Sequence, residues 1–248
     1  MTFYPIMFMI YIALCAHWCY FLNRYKDHLI NLHYYVLIVI VVTMGQTLSN
    51  IALLTYINTN GYGSTILAMV SFLFDISSNV ISRVVTLLVG LGYGILIKSI
   101  QRYKTKIILI SFLYSMGFLA NHGINLINKS QPVSGAVSFI VSLPLACINA
   151  IFVIWIFFAF RRTMFYLKSR NQDYKFNIIS ILFFTFIVCA CFSLIFILYQ
   201  VANTISETRD REWKSEWFRE SAWMMIYTCF VIAVSHILRP SENSDMLS

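Results

Sequence analysis

Long apolar stretches alternate with short polar ones along the whole chain. Seven apolar segments can be marked, and each is long enough to predict a membrane-spanning helix. They are Phe3–Leu22, His33–Tyr56, Ser64–Ile97, Lys106–Leu126, Gly135–Phe160, Phe176–Ala202 and Trp217–Leu238. The predicted fold class is therefore all-α, a polytopic seven-transmembrane helix bundle. Because the connections are short, residues 1–240 are expected to form one domain, followed by a short cytosolic tail at 241–248.

The third segment carries three polar residues inside its apolar run. Asp75, Asn79 and Arg83 follow one another at steps of four residues, so a helix would place them on one face. Ionisable side chains within a membrane are costly, and they face protein or a water-filled cavity. Two interpretations stay open: the stripe fixes helix packing, or it lines a cavity for ions, a lipid headgroup or cargo.

Arg83 is expected to lie inside the bundle and to be paired. Asp75 is two helical turns away, roughly 12 Å along the axis, which is too far for direct contact within the helix. A partner on another helix or a water must bridge the two; the candidates are Tyr199, Gln200, Ser142 and Asn149. Replacing Arg83 by Ala should destabilise the fold or abolish function, because polar groups would be left unpaired.

Composition and charge agree with a membrane protein and predict its orientation. The chain is 59% hydrophobic and 11% charged, whereas soluble domains carry about 25% charged residues. The net charge of +8 does not indicate nucleic-acid binding, because Lys and Arg lie at the ends of apolar segments. Placing the connections after segments one, three and five, and the tail, in the cytosol puts 12 of the 18 Lys and Arg there and five outside. The N-terminus is therefore predicted to be lumenal and the C-terminus cytosolic.

The connection before segment seven is strongly charged and contains tryptophans. Trp213 and Trp217 share a helical face, with Glu216 and Arg219 beside them. One interpretation is an aromatic belt at the membrane boundary with solvated charges. The other is a lumenal surface for a protein partner, such as cargo or a partner subunit.

Three glycines stand at alternate positions near the end of segment three. Gly90, Gly92 and Gly94 are interpreted as small residues that allow close helix packing within an unbroken helix. A potassium-channel filter needs non-helical backbone lining a pore, and no pore helix precedes this triplet.

Enzyme signatures are few. The sequence shows no nucleophile elbow or phosphate loop, and Cys189 and Cys191 would point about 200° apart on a helix. We therefore expect no catalytic residue, no metal and no cofactor. Gln101-Arg102-Tyr103, placed at the end of segment three, resembles the Asp-Arg-Tyr triplet of rhodopsin-like receptors, although the acid is missing. A receptor is thus one alternative function.

Two stretches together resemble a known family. The first is Ser82–Gly94, and the second combines Glu212–Trp217, Ala222-Trp223 and Arg239–Asn243. Both are similar to the GOLD-domain seven-transmembrane (GOST) proteins, closest to the transmembrane protein 87 branch. Members carry a lumenal GOLD-like domain before the first helix, whereas this sequence begins almost at that helix.

The resemblance implies a location and a role. It implies a seven-helix bundle of Golgi and endosomal membranes, with the plasma membrane left open, and a role in membrane trafficking, either in retrograde endosome-to-Golgi transport or in binding cargo or lipid. It also implies a lipid-accessible central cavity, so membrane lipid is an expected partner, and Arg83 matches the family's third-helix Arg. A cation channel or channel subunit, a role proposed for this branch, is the main alternative.

Overall fold

The computed structural model describes residues 3–26, 29–93, 96, 101–130, 135–205 and 212–240. Only the backbone is described at 102, 125–130, 135, 136, 138, 139, 200–205 and 212–220. The regular elements of this part of the chain are seven α-helices. They are α1 (Phe3–Arg24), α2 (Asn31–Asn60), α3 (Thr65–Gly90), α4 (Gln101–Ser130), α5 (Gly135–Ser169), α6 (Asp173–Ile205) and α7 (Glu212–Ile237).

The helix lengths fit a membrane. In the described residues, six of the helices, α1 to α6, are long and apolar enough to span a bilayer, and α7 contains a shorter apolar stretch, Ser221–Ile237. The all-α seven-helix fold predicted from the sequence is confirmed. Three helices, α2, α4 and α6, extend beyond the predicted segments at both ends, and α1 and α5 extend at the C-terminal end. The reason is that an α-helix continues through polar residues beyond the hydrocarbon layer, whereas hydropathy marks only the apolar part.

The helix α3 ends earlier than the hydropathy pattern predicts. The predicted single helix through Ile97 is wrong, because the backbone turns at Gly92, where φ is 69°. The Tyr93 amide donates to the Leu88 carbonyl at 3.0 Å, and the Gly92 amide donates to the Val89 carbonyl at 2.9 Å. This pair of bonds is the Schellman arrangement, which closes a helix with a residue in the left-handed region. Gly92 is suited to that position because it lacks a Cβ.

The neighbouring helix α5 fixes this turn from outside. The Thr163 hydroxyl, which is buried, donates to the Gly90 carbonyl at 2.8 Å. A Cβ at Gly90 would lie 3.2 Å from Cδ2 of Phe160, so the absent side chain lets α5 approach closely. Gly90 therefore has the helix-packing contact that the sequence predicts for it.

Two side-chain hydrogen bonds hold α1 against its neighbours. The indole nitrogen of the fully buried Trp18 donates to the His33 carbonyl at the start of α2, at 3.2 Å. The Tyr11 hydroxyl lies 2.9 Å from the Thr228 hydroxyl of α7. With α1 attached to α2 and α7, the helix α3 is left at the centre, in contact with α2, α4 and α5.

Candidate functional site

A ladder of polar side chains joins α2 and α3. Thr43 pairs with Ser78 at 3.2 Å, the Gln46 amide donates to the Asp75 carboxylate at 2.7 Å, and the Ser71 hydroxyl donates to the Asn50 amide oxygen. Each step of three or four residues along α2 is matched by a step of three or four residues backward along α3. In an apolar medium unpaired polar groups are costly, so these pairs bind the two antiparallel helices to each other.

Arg83 projects from α3 towards α4 and α5. Its Nε donates to Oδ1 of Asn149 at 3.1 Å. Its Nη1 contacts the carbonyl oxygen of Asn79 at 2.9 Å and the Asn79 side-chain oxygen at 3.1 Å. The guanidinium carbon also lies 4.5 Å from the ring centroid of the buried Tyr114, a cation–π contact. The prediction that Arg83 is paired across helices is confirmed for Asn149.

Two of the other predicted partners of Arg83, Ser142 and Tyr199, have different surroundings. The Ser142 hydroxyl donates to Asn121 of α4 at 2.8 Å. Half of the Tyr199 surface is exposed on the outside of the bundle. The side chain of Gln200 lies outside the described residues.

The guanidinium of Arg83 contacts only neutral groups among the described residues, and some of its N–H groups make no hydrogen bond to them. A guanidinium has five N–H groups, but the hydrogen bonds to described residues leave from Nε and Nη1 alone. Nη2 makes no hydrogen bond to a described residue and is not fully buried, so a further acceptor can reach it. Charge-assisted hydrogen bonds to carboxylate or phosphate are what a guanidinium fork forms best. The arrangement can therefore receive an acidic group.

The polar stripe of α3 is continuous along the helix, but its members face different neighbours. Asp75 turns to α2 through Gln46, whereas Arg83 turns to α5 through Asn149. Between them, the Asn79 amide donates to the Asp75 backbone carbonyl at 2.8 Å. Asn79 thus links the two charged residues, which lie about 12 Å apart along the axis.

A narrow crevice lies beside the stripe, between α2, α3, α5, α6 and α7. Its free volume is about 20 Å³, which is on the order of one water molecule. Its walls are mostly apolar, with Val36, Val39, Val85, Phe160, Leu182 and Val234 among them. Ser82, Thr86 and Tyr227 are its polar lining residues. The buried Tyr227 hydroxyl lies beside the hydroxyls of Thr43, Ser78 and Ser82, but it forms no hydrogen bond with the described residues. The crevice is thus a small apolar space with a few hydroxyl groups contributed by α3 and α7.

Other residues predicted to matter have mixed outcomes. Gly92 forms the turn after α3, so its predicted role inside a helix is wrong, and Gly94 lies outside the described residues. Gln101 begins α4, so the receptor-like triplet does not end the third helix. The receptor alternative depended on that position and loses its support. Trp213, Glu216, Trp217 and Arg219 lie in the first turns of α7, where only the backbone is described.

Two groups of site residues escaped the sequence reasoning. Thr43, Gln46 and Asn50 on α2 face the polar stripe, and Tyr114 on α4 covers Arg83. The α2 residues could have been found from the sequence, because polar side chains at steps of three and four inside an apolar segment form the same pattern as in α3. Tyr114 could not have been found in this way, because an aromatic residue in a membrane segment needs no polar partner. No group of metal-ligating side chains is found in the described part of the chain.

The seven helices, their apolar exterior and their largely apolar core define a polytopic integral membrane protein. Comparison with known sequences identifies its family. The sequence model of the family described as "GOST, seven transmembrane domain" matches residues 1–245 of the chain. The chain belongs to this GOST seven-transmembrane family.

Individual relatives are distant but similar along nearly the whole chain. Transmembrane protein 87B of Mus musculus is 24% identical over 246 residues, covering 99% of this chain and 44% of the relative. Transmembrane protein 87A of Xenopus tropicalis is 24% identical over 247 residues, covering 99% and 45%. Membrane protein PTM1 of Saccharomyces cerevisiae (strain YJM789) is 22% identical over 256 residues, covering 99% and 48%. The chain spans less than half the length of these relatives.

Proposed function

We propose that this protein acts in membrane trafficking, without catalytic turnover, by binding an acidic group at Arg83. The observation that carries the proposal is a single half-buried guanidinium, fixed by Asn79, Asn149 and Tyr114, with Nη2 still open. Three neutral neighbours orient the charge without neutralising it. An incoming phosphate or carboxylate would supply the missing negative charge.

The cellular setting of the proposal comes from the family. The family resemblance implies that its members work in Golgi and endosomal membranes. In such a membrane the acidic group would be a lipid headgroup or a carboxylate of cargo. The Lys and Arg distribution supports a lumenal N-terminus and a cytosolic C-terminus. In that orientation Trp213, Glu216, Trp217 and Arg219 form a lumenal surface on which a partner could dock.

A rescue experiment in cells tests the trafficking role. Deleting the gene should mislocalise Golgi cargo, and the wild-type protein should restore it. Arg83→Met, which keeps the length of the side chain and removes its charge, should fail to restore it. Lys104→Met, which removes an exposed charge at the start of α4, is the matched control and should restore it. Full rescue by Arg83→Met would contradict the proposal.

A cation channel is the second candidate, because the polar residues of α3 run from Ser71 to Thr86, about 22 Å along the helix. The mostly apolar walls of the crevice beside them speak against an open ion path. Purified protein in planar bilayers separates the two candidates. A reproducible cation current that Arg83→Ala alters would favour the channel, and silence together with the cargo defect would favour trafficking.

A further inference from the structure

The hairpin between α5 and α6 ends in a basic and aromatic surface. Two parallel stripes lie on the last turns of α5 and the turn that follows. Arg161, Phe165 and Lys168 form the first, and Arg162, Tyr166 and Arg170, which is one residue past the helix end, form the second. Each stripe has the order basic, aromatic, basic at steps of three or four residues, so its members are neighbours on the helix. All six side chains are exposed, and Phe165 is 79% exposed.

The backbone holds these stripes in a fixed position. On the opposite face of the same turns, Thr163 binds the Gly90 carbonyl and Leu167 is fully buried. The helix then closes with Asn171 in the left-handed region, at φ 52°, while the Gln172 amide donates to the Leu167 carbonyl at 3.2 Å. The next helix begins at once, at Asp173. The stripes are therefore presented by a packed hairpin.

The position of the stripes matches the headgroup layer of a bilayer. The apolar part of α5 ends at Phe160, and Phe165 lies five residues further, about 7–8 Å along the axis. The polar layer on each side of the hydrocarbon core is about 5–8 Å thick. Arginine and lysine reach phosphates there, while aromatic rings occupy the boundary. In the turns that carry the stripes, no acidic residue opposes the four basic ones, and Asp173 follows only at the start of α6.

We propose that these two stripes bind anionic lipid headgroups of the adjacent leaflet, which the charge distribution assigns to the cytosolic side. Arg161 and Arg162 contact the headgroup phosphates, Phe165 and Tyr166 lie between the headgroups, and Lys168 and Arg170 attract further negative charge. The cation–π contact of Arg170 with Tyr166, at 5.4 Å, keeps that arginine beside the ring. This binding is separate from the Arg83 site and does not depend on its function.

The test measures which lipids stay with the protein. The full chain is placed in nanodiscs of phosphatidylcholine with a minor fraction of phosphatidylserine, and the lipids of protein-containing and empty discs are compared by mass spectrometry. Wild-type discs should be enriched in phosphatidylserine. In Arg161→Gln/Arg162→Gln, the preference for the anionic lipid at the site should fall about fivefold for each charge removed.

A matched control removes the same number of charges from the same side of the protein. Lys104→Gln/Lys106→Gln alters two exposed residues at the start of α4 and should keep most of the enrichment. An equal loss in both double variants would overturn the proposal, because net charge and not this surface would then attract the lipid. Unchanged thermal midpoints show that each variant is folded.

The aromatic residues are tested by Phe165→Trp. Brominated phosphatidylserine should quench the added fluorescence more strongly than brominated phosphatidylcholine, and high salt should remove the difference. Equal quenching by both lipids would contradict the proposed site. Absence of lipid enrichment combined with charge-dependent binding of a glutamate-rich peptide would overturn it in favour of an acidic protein partner.

Discussion

The hydrogen bond between Arg83 and Asn149 gives a quantitative test of the interior site. Asn149→Ala removes the acceptor that lies 3.1 Å from Nε and leaves a half-buried charge with one partner fewer. A hydrogen bond to a charged group contributes about 1.5–3 kcal/mol in proteins generally. Side-chain pairs inside membrane bundles give less, about 0.6 kcal/mol on average and up to about 1.7 kcal/mol. We expect a coupling free energy between the two side chains of about 1–1.5 kcal/mol.

A double-mutant cycle isolates this coupling from the cost of each substitution. The four proteins are the wild type, Arg83→Met, Asn149→Ala and the double variant, and the free energy of unfolding is measured by titration with a denaturing detergent. Asn149→Ala should be clearly destabilising in the wild-type background. It should be nearly neutral in the Arg83→Met background, because there is then no charged group whose loss of a partner costs free energy.

A second cycle serves as the control. Thr163→Val combined with Arg83→Met should be additive, because Thr163 binds α3 at Gly90, about 10 Å further along the helix. The reasoning would be refuted by a coupling between Arg83 and Asn149 below about 0.3 kcal/mol, which is the usual error of additivity. It would also be refuted if both cycles gave the same coupling.

Three further outcomes are expected. Gly92→Ala should destabilise the protein by about 1–2 kcal/mol and lower its thermal midpoint in detergent, because alanine is strained at positive φ. Gly123→Ala, in the last third of α4 where an added Cβ meets no atom within 4 Å, should not lower the midpoint. Thr163→Val should speed amide exchange at the end of α3, with a cost of about 1 kcal/mol, because the Gly90 carbonyl loses its donor; unchanged exchange there would count against this cap. Cysteines introduced at the exposed positions 169–172, between α5 and α6, should be labelled from the cytosolic side only, and lumenal labelling would reverse the proposed topology.

Hydropathy was sufficient to predict the seven helices and one of their polar contacts. A membrane requires each span to satisfy its own backbone, so an apolar run of sufficient length specifies a helix. Polar groups inside such a helix must find partners on its neighbours, which is why Asn149 stood among the four candidate partners of Arg83. The remaining interior contacts depend on helix orientation about the axis, and hydropathy does not determine that angle.

The end of α3 could not be found from hydropathy, because Leu91 and Tyr93 continue the apolar pattern past the turn. The backbone reverses there through one residue in the left-handed region, which depends on Gly92 and on a donor from Thr163 in a distant part of the sequence. Three alternating glycines were a local signal, but they are equally compatible with close helix packing. Only the carbonyl partners distinguish the two, and these belong to the folded state.

The ladder between α2 and α3 does not select a single alignment of the two helices. A relative shift by four residues, one helical turn, would place Thr43 opposite Ser82, Gln46 opposite Asn79 and Asn50 opposite Asp75. Each of these is again a donor–acceptor pair, so polarity alone gives two alignments of similar quality.

Shape separates the two alignments. The ring of Phe74 fills the space left by Gly45, where a Cβ would lie only 2.5 Å from Cε1 of that ring. A shift by one turn would move the ring away from this notch and place it opposite a residue with a side chain. The packing of Phe74 against Gly45 therefore fixes the alignment of the two helices, whereas the hydrogen bonds would stabilise either alignment.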